Sequence, residues 1–225
     1  MNSFEMPEGI YHIPLRLPWS SPSNVNVYLI EENDGYIMID CGVDGSEYLD
    51  LLKSHLVEIG IDFSDIKLLI GTHMHIDHIG LSGTLREFDI PFALYENSVD
   101  YLDEYNNWSI RFANLIAMAK KESAPLTFID DLKSITTPLY AGKLTKPDIL
   151  LSEGRIKSIK RNLNVIFTPG HDYSEISIHD EYSKIIFSGD HILPKITPFI
   201  PVQNEKSNLL KEFINSLDKV HAIDH

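Results

Sequence analysis

The chain has 225 residues, 43% of them hydrophobic and 23% charged, which suits one large domain and excludes wholesale disorder, collagen-like and coiled-coil architecture. Its 19 basic and 33 acidic residues give a formal net charge of −14, so nucleic acid and anionic membrane surfaces are not expected partners. No run of ~18 apolar residues offers a membrane span. The N-terminal residues lack the basic-then-apolar order of a secretory signal, and the single Cys41 has no internal disulfide partner, so the expected location is cytoplasmic.

Residues 10–41 read as strands. Residues 25–30 alternate, Asn33-Asp34-Gly35 turns the chain, and the apolar run 36–39 ends at Asp40-Cys41-Gly42. Leu49, Leu52, Leu56 and Ile59 recur at helical spacing over 46–59, with Gly60 as the stop. Residues 66–70 are a short buried strand leading through Gly71 and Thr72 into a histidine cluster. The pattern then predicts a helix over 79–88 and a strand over 92–95. Over 98–121, Tyr101, Tyr105, Trp108, Phe112, Leu115 and Met118 keep a helical spacing, and a Thr/Pro-rich connector follows through Pro138 and Pro147. The stretch 97–147 therefore reads as a helical insertion between two β-rich halves. Strand patterns resume at 148–152, 155–160, 163–168, 175–180 and 184–188, and residues 205–220 form an amphipathic helix. Two stacked sheets with helices outside would bury both sets of strands, although pattern alone does not fix that topology.

The chemistry concentrates in Thr72-His73-Met74-His75-Ile76-Asp77-His78-Ile79-Gly80, where three of the ten histidines and an aspartate fall within six residues. His73 and His75 are two apart, so an extended backbone points both rings the same way. Asp77 and His78 follow where the chain turns into a helix. Imidazole nitrogen and carboxylate oxygen in such convergence suit a first-row divalent metal. The plainer reading is a polar loop rich in histidine by chance; four potential ligands directly after a buried apolar strand argue against it. Two later segments are built alike. One strand ends in Thr168-Pro169-Gly170-His171, another in Ser188-Gly189-Asp190-His191.

The His-x-His-x-Asp-His run, the later Thr-Pro-Gly-His, the still later Ser-Gly-Asp and Asp40 in Ile-Asp-Cys-Gly together resemble the metallo-β-lactamase superfamily along nearly the whole chain. The resemblance implies an α/β fold, a four-layer αββα sandwich, with 1–225 as a single domain carrying the 97–147 insertion and a metal pair at one edge. It implies that His73, His75 and His171 hold the first metal, that Asp77 and His78 hold the second, and that Asp190 bridges both. Zinc is the implied occupant, as one or two ions, with iron or manganese in some relatives. A metal lowers the pKa of bound water toward ~7, and two cations stabilise the oxyanion formed at an attacked carbonyl or phosphoryl group. Asp77 is then expected both to bind metal and to pass a proton to the leaving group.

The implied function is a metal-dependent hydrolase acting on a small-molecule ester, thioester, lactone or related bond. The alternatives are an iron-dependent oxidoreductase of the same fold, resembling persulfide dioxygenases, and a metal-binding scaffold with impaired catalysis. β-Lactam cleavage is disfavoured by the missing export signal. RNA processing is disfavoured by the missing extra domain and basic arm.

The chain departs from the family's pattern at its end, Val220-His221-Ala222-Ile223-Asp224-His225. Two-metal relatives take a last histidine from a strand after the final helix. Either that segment lies after residue 225, or His221 or His225 substitutes. Histidines near a helix C-terminus also suit the macrodipole, and that reading is preferred; it leaves the second metal one protein ligand short. His12, His55 and His179 read as surface or structural, Cys41 as packing, Asp40 as a support behind the ligands and residues 193–198 as a rim loop. His191 lines the pocket or packs beneath it with equal merit. The aromatic side chains of the insertion read as core packing and leave a homodimer open.

Overall fold

The computed structural model describes residues 6–135, 144–201 and 208–224. The alternating and apolar runs at the start of the chain become β1 (Ile10–Arg16), β2 (Asn24–Glu32) and β3 (Gly35–Ile39), an antiparallel meander. β4 (Ile66–Ile70), β5 (Phe92–Tyr95) and β6 (Ile149–Leu151) join it in parallel, giving six strands in chain order. A second, antiparallel sheet runs β10-β9-β8-β7, from β7 (Gly154–Arg155), β8 (Leu163–Phe167), β9 (Ile176–Asp180) and β10 (Ile185–Phe187).

The layering follows from strands that are apolar on both faces. Ile37, Ile39, Leu68 and Ile70 point into the core between the sheets, where they meet Leu163, Val165, Ile176, Ile178 and Phe187. Met38, Ile66 and Leu69 alternate to the other face, beneath α1 (Ser46–Glu58), α2 (Ile76–Ile79) and α3 (Ser82–Leu85). Each such Leu or Ile taken from water contributes roughly 1.5–3 kcal/mol. The second sheet is covered by α7 (Leu209–His221), which is set after the insertion helices described next. Its Ser216 Oγ donates to Pro169 O at 2.9 Å, and Lys219 Nζ donates to Phe167 O at 2.9 Å. A Cβ on Gly170 would lie 2.7 Å from that of Phe213, so the turn and the helix are flush. Helix, sheet, sheet and helix make the four layers.

Between β5 and β6 stand α4 (Val99–Asn106), α5 (Trp108–Lys121) and α6 (Leu126–Ile135). The single helix expected over 98–121 divides at Asn107, whose side chain accepts from Ile110 N and so starts a new helix. Where a connector was expected, α6 begins after Pro125 and buries Ile129. Pro138 lies outside the described residues. Asn106 fastens the return of the chain by bonding both Leu144 N (2.8 Å) and Leu144 O (2.9 Å). The helix expected over 79–88 is α2 and α3 followed by a tight turn at Arg86–Phe88. The strand expected over 155–160 shrinks to Gly154–Arg155. The last helix starts at Leu209, capped by the Asn208 side chain. No helix among the described residues is long and apolar enough to cross a membrane.

Candidate metal centre

Four strand ends deliver the site. β3 ends at Asp40, whose φ of 59° is a left-handed conformation that aspartate tolerates better than most residues. β4 leads through Gly71 and Thr72 to His73, and extended backbone at His75 (φ −70°, ψ 143°) precedes α2. From the other sheet, β8 ends in the turn that carries His171. β10 ends at Phe187 and turns through Gly189 (φ 53°) to Asp190. A Cβ on Gly189 would sit 2.9 Å from Thr72 Cβ, which is how the two sheets' loops close against each other.

Nitrogens of His73, His75 and His171 lie within 4.8 Å of one another, and so do ligand atoms of His73, His78 and Asp190. His73 Nε2 is 3.0 Å and His171 Nε2 2.9 Å from His75 Nδ1. Asp190 faces both groups, with Oδ1 3.4 Å from His78 Nε2 and Oδ2 3.6 Å from His171 Nε2.

The surrounding hydrogen bonds set the tautomers. His171 Nδ1 lies 2.7 Å from Phe199 O, a carbonyl that only accepts, so Nδ1 carries the proton and Nε2 is bare. His78 Nδ1 donates to Asp40 Oδ2 at 2.7 Å, which directs Nε2 toward Asp190. Thr72 spends its hydroxyl proton on Asp40 (2.9 Å to Oδ2) and accepts from His73 Nδ1 at 3.0 Å, so His73 Nε2 is bare as well. Asp40 also accepts Thr72 N–H at 2.8 Å. One buried carboxylate thus orients His78 directly and His73 through Thr72. His75 Nδ1 then faces two bare nitrogens and has at most one proton to share between them. A donor set of this kind fits a cation.

The electrostatics agree. Burial, and then the neighbouring rings, hold His73 well below the ordinary histidine pKa and bring His75 down to about 3, so both rings are neutral. Burial acts to lower His78, but Asp40, Asp190 and Asp77 outweigh it and hold the ring well above its ordinary value. Burial acts to raise Asp190, but His78, with His171 and His75, brings it down to about 2. Asp190 is therefore an anion paired with a protonated His78, and a cation bound between them would take the place of the His78 Nε2 proton.

Of the residues expected at the site, His73, His75, His78, His171 and Asp190 meet. Asp77 belongs to neither group of three, although its Oδ2 lies 3.9 Å from His78 Nε2. His221 is exposed on α7 and belongs to neither group, and His225 lies outside the described residues. His191 is buried edge-on against Phe213 at 5.0 Å, and burial brings its pKa down to about 4; it packs as a neutral ring beneath the loop. Sequence reasoning missed Thr72, the Phe199 carbonyl and Glu175. A threonine directly before the first histidine was the available sign for the first. A backbone carbonyl leaves none. Glu175 is fully buried, with Oε1 3.3 Å from where a Gly189 Cβ would stand. Burial, then Asp172 and Asp190, hold its carboxyl well above the usual range.

The family model described as the metallo-beta-lactamase superfamily matches residues 20–224. Acyl-coenzyme A thioesterase MBLAC2 of Homo sapiens is 26% identical over 200 residues, which is 81% of this chain and 63% of that protein. A probable metallo-hydrolase of Methanocaldococcus jannaschii is 29% identical over 170 residues, 74% of this chain and 66% of that one. This chain therefore spans a little under two thirds of the length of these relatives. Among solved structures, a metallo-beta-lactamase family protein from Thermus thermophilus superposes with a TM-score of 0.78 at 24% identity, covering 95% of this chain and 70% of that one. The subclass B3 metallo-beta-lactamase BJP-1 of Bradyrhizobium japonicum superposes with a TM-score of 0.65 at 18% identity, covering 98% and 73%. At these identities the structural likeness speaks for the fold.

Proposed function

The chain belongs to the metallo-β-lactamase superfamily, and from that premise we propose that it is a zinc-dependent hydrolase of small acyl thioesters. The observation that carries the reading is the convergence of His73, His75, His78, His171 and Asp190 from two sheets, with the tautomers of His73 and His171 set so that their bare Nε2 atoms face His75. Bound divalent metal supplies Lewis acidity and a nucleophilic water at neutral pH. His73, His75 and His171 are the proposed holders of one ion. His78 and Asp77 are those of a second, and Asp190 serves both. Asp40 and Thr72 keep the imidazoles in the required tautomer. Asp77, whose Oδ2 lies 3.9 Å from His78 Nε2, is the proposed group to take a proton from the attacking water and return it to the leaving group. The thioester choice rests on the human thioesterase relative. The acidic chain suits a small molecule in the cytoplasm better than nucleic acid or a membrane.

The test is metal analysis of the purified protein together with thiol release from acyl thioesters, before and after chelation. The reading expects bound zinc and activity that chelation abolishes and zinc restores. Bound iron with dioxygen consumption would favour an oxidoreductase. No turnover of esters, thioesters or lactones at full metal loading would leave a binding scaffold.

A further inference from the structure

The loop after β10 meets His171 at both ends, at Nε2 through Asp190 and at Nδ1 through the Phe199 carbonyl. It starts at Asp190, which faces His78 and His171, and nine residues later the Phe199 carbonyl accepts the His171 Nδ1 proton at 2.7 Å. Its start is pinned by His191, buried against Phe213, and by Ser188 Oγ donating to Ile192 O at 3.1 Å. Pro194 and Pro198 restrict the backbone in between. A loop anchored this way presents three large apolar side chains to solvent: Ile192 is 45% exposed, Ile196 56% and Phe199 74%. Apolar side chains held out beside a functional centre mark a surface that something apolar covers.

We propose that the 191–200 loop is the resting surface for the substrate's acyl chain and that Phe199 is its specificity-determining residue. This deepens the thioester reading above and rests on it. The net charge of −14 gives the surface little to offer a polyphosphate leaving group, so discrimination between substrates falls to the acyl part. Phe199 holds the outer nitrogen of His171 through its carbonyl and presents its side chain to solvent, so a chain resting on the ring lies against the loop that supports a proposed metal ligand.

The experiment compares zinc-loaded wild type with Phe199→Ala, which keeps the carbonyl that orients His171, on acetyl and decanoyl thioesters. The ratio of decanoyl to acetyl kcat/KM falls roughly tenfold in the variant, chiefly through KM, as expected for lost contact with about two methylene groups. Phe199→Leu recovers most of the ratio. Leu126→Ala, a control at a comparably exposed apolar residue on α6, leaves the ratio unchanged. As a readout apart from turnover, calorimetric binding of a decanoyl thioether analogue weakens by the same factor in Phe199→Ala, while bound zinc per chain stays constant. A ratio and a thioether affinity unmoved by Phe199→Ala overturn the assignment, and so does loss of zinc from that variant. The two readings separate cleanly. If wild type cleaves acyl oxygen esters but no thioesters, and Phe199→Ala removes their chain-length preference, the thioester reading falls and the loop assignment stands. If wild type cleaves thioesters with no chain-length preference, the loop assignment falls and the thioester reading stands.

Discussion

Asp40 is the residue whose loss the geometry predicts in most detail. It is 2% exposed and accepts three groups: Thr72 N–H at 2.8 Å, Thr72 Oγ1–H at 2.9 Å and His78 Nδ1–H at 2.7 Å. Asparagine preserves its volume and tolerates the left-handed backbone, so Asp40→Asn isolates the second acceptor oxygen and the charge. If the amide oxygen stays with Thr72, the NH2 group meets His78 Nδ1, which must then accept, so the neutral ring keeps its one proton on Nε2 toward Asp190 and offers a metal no bare nitrogen there. If the amide turns over, the buried Thr72 N–H is left without its acceptor. Either arrangement costs about 1–3 kcal/mol of stability in the metal-free protein. Loss of a carboxylate that orients a ligand lowers metal affinity about 10- to 100-fold. Competition against a graded series of chelators measures the affinity, and denaturant unfolding of the metal-free protein measures the stability. An Asp40→Asn protein with wild-type stability and metal affinity within twofold of wild type refutes the tautomer argument.

Three further outcomes follow from the same geometry. Asp77→Asn lowers kcat about 100-fold at full metal loading if Asp77 moves the proton; unchanged kcat in steady-state thiol release removes that role. Gly170→Val places atoms where Phe213 already stands, 2.7 Å from the Gly170 Cβ position, and so destabilises the fold by about 1–3 kcal/mol and loosens α7 from the His171 turn, as read from a thermal melt. Asp180 accepts Arg161 at 2.6 Å, and Arg161 N also binds Glu32, tying the β2–β3 turn to the second sheet. Burial acts to raise the Asp180 carboxyl, but Arg161 and Ser183 outweigh it and hold it below the usual carboxylate range. A lowered folded pKa gives stability that is present above the unfolded value of about 3.9 and is lost as pH falls through the folded one. The stability gap between wild type and Asp180→Asn should therefore be full at pH 6 and shrink on acidification below about pH 4; a gap that does not shrink with acid contradicts the pairing.

Much of this architecture was legible because the strands nearest the site are apolar on both faces and end in turn residues. The runs at 36–39 and 66–70 announced buried strands, and Thr-Pro-Gly-His and Ser-Gly-Asp announced turns at strand ends; that the two strands pair in parallel did not show in the pattern. Periodicity served less well in the insertion. Its apolar spacing continues across Asn107, and only the side-chain cap there, a contact within one turn, divides α4 from α5. Helix α6 was hidden because Pro125 and Thr127 read as the start of a Thr/Pro-rich connector, whereas a proline just before a helix is a start signal. At the site, ligand types showed in the spacing, but their tautomers did not. Those depend on Thr72 relaying Asp40 to His73, and on a carbonyl 28 residues from His171, relations that exist only once both sheets are packed.

The most direct measurement is an anomalous difference map from crystals of the zinc-loaded protein. The account predicts a peak about 2.0–2.1 Å from one nitrogen each of His73, His75 and His171. Protein that takes up no zinc at saturating concentrations, or a peak bonded to none of these three rings, would contradict it.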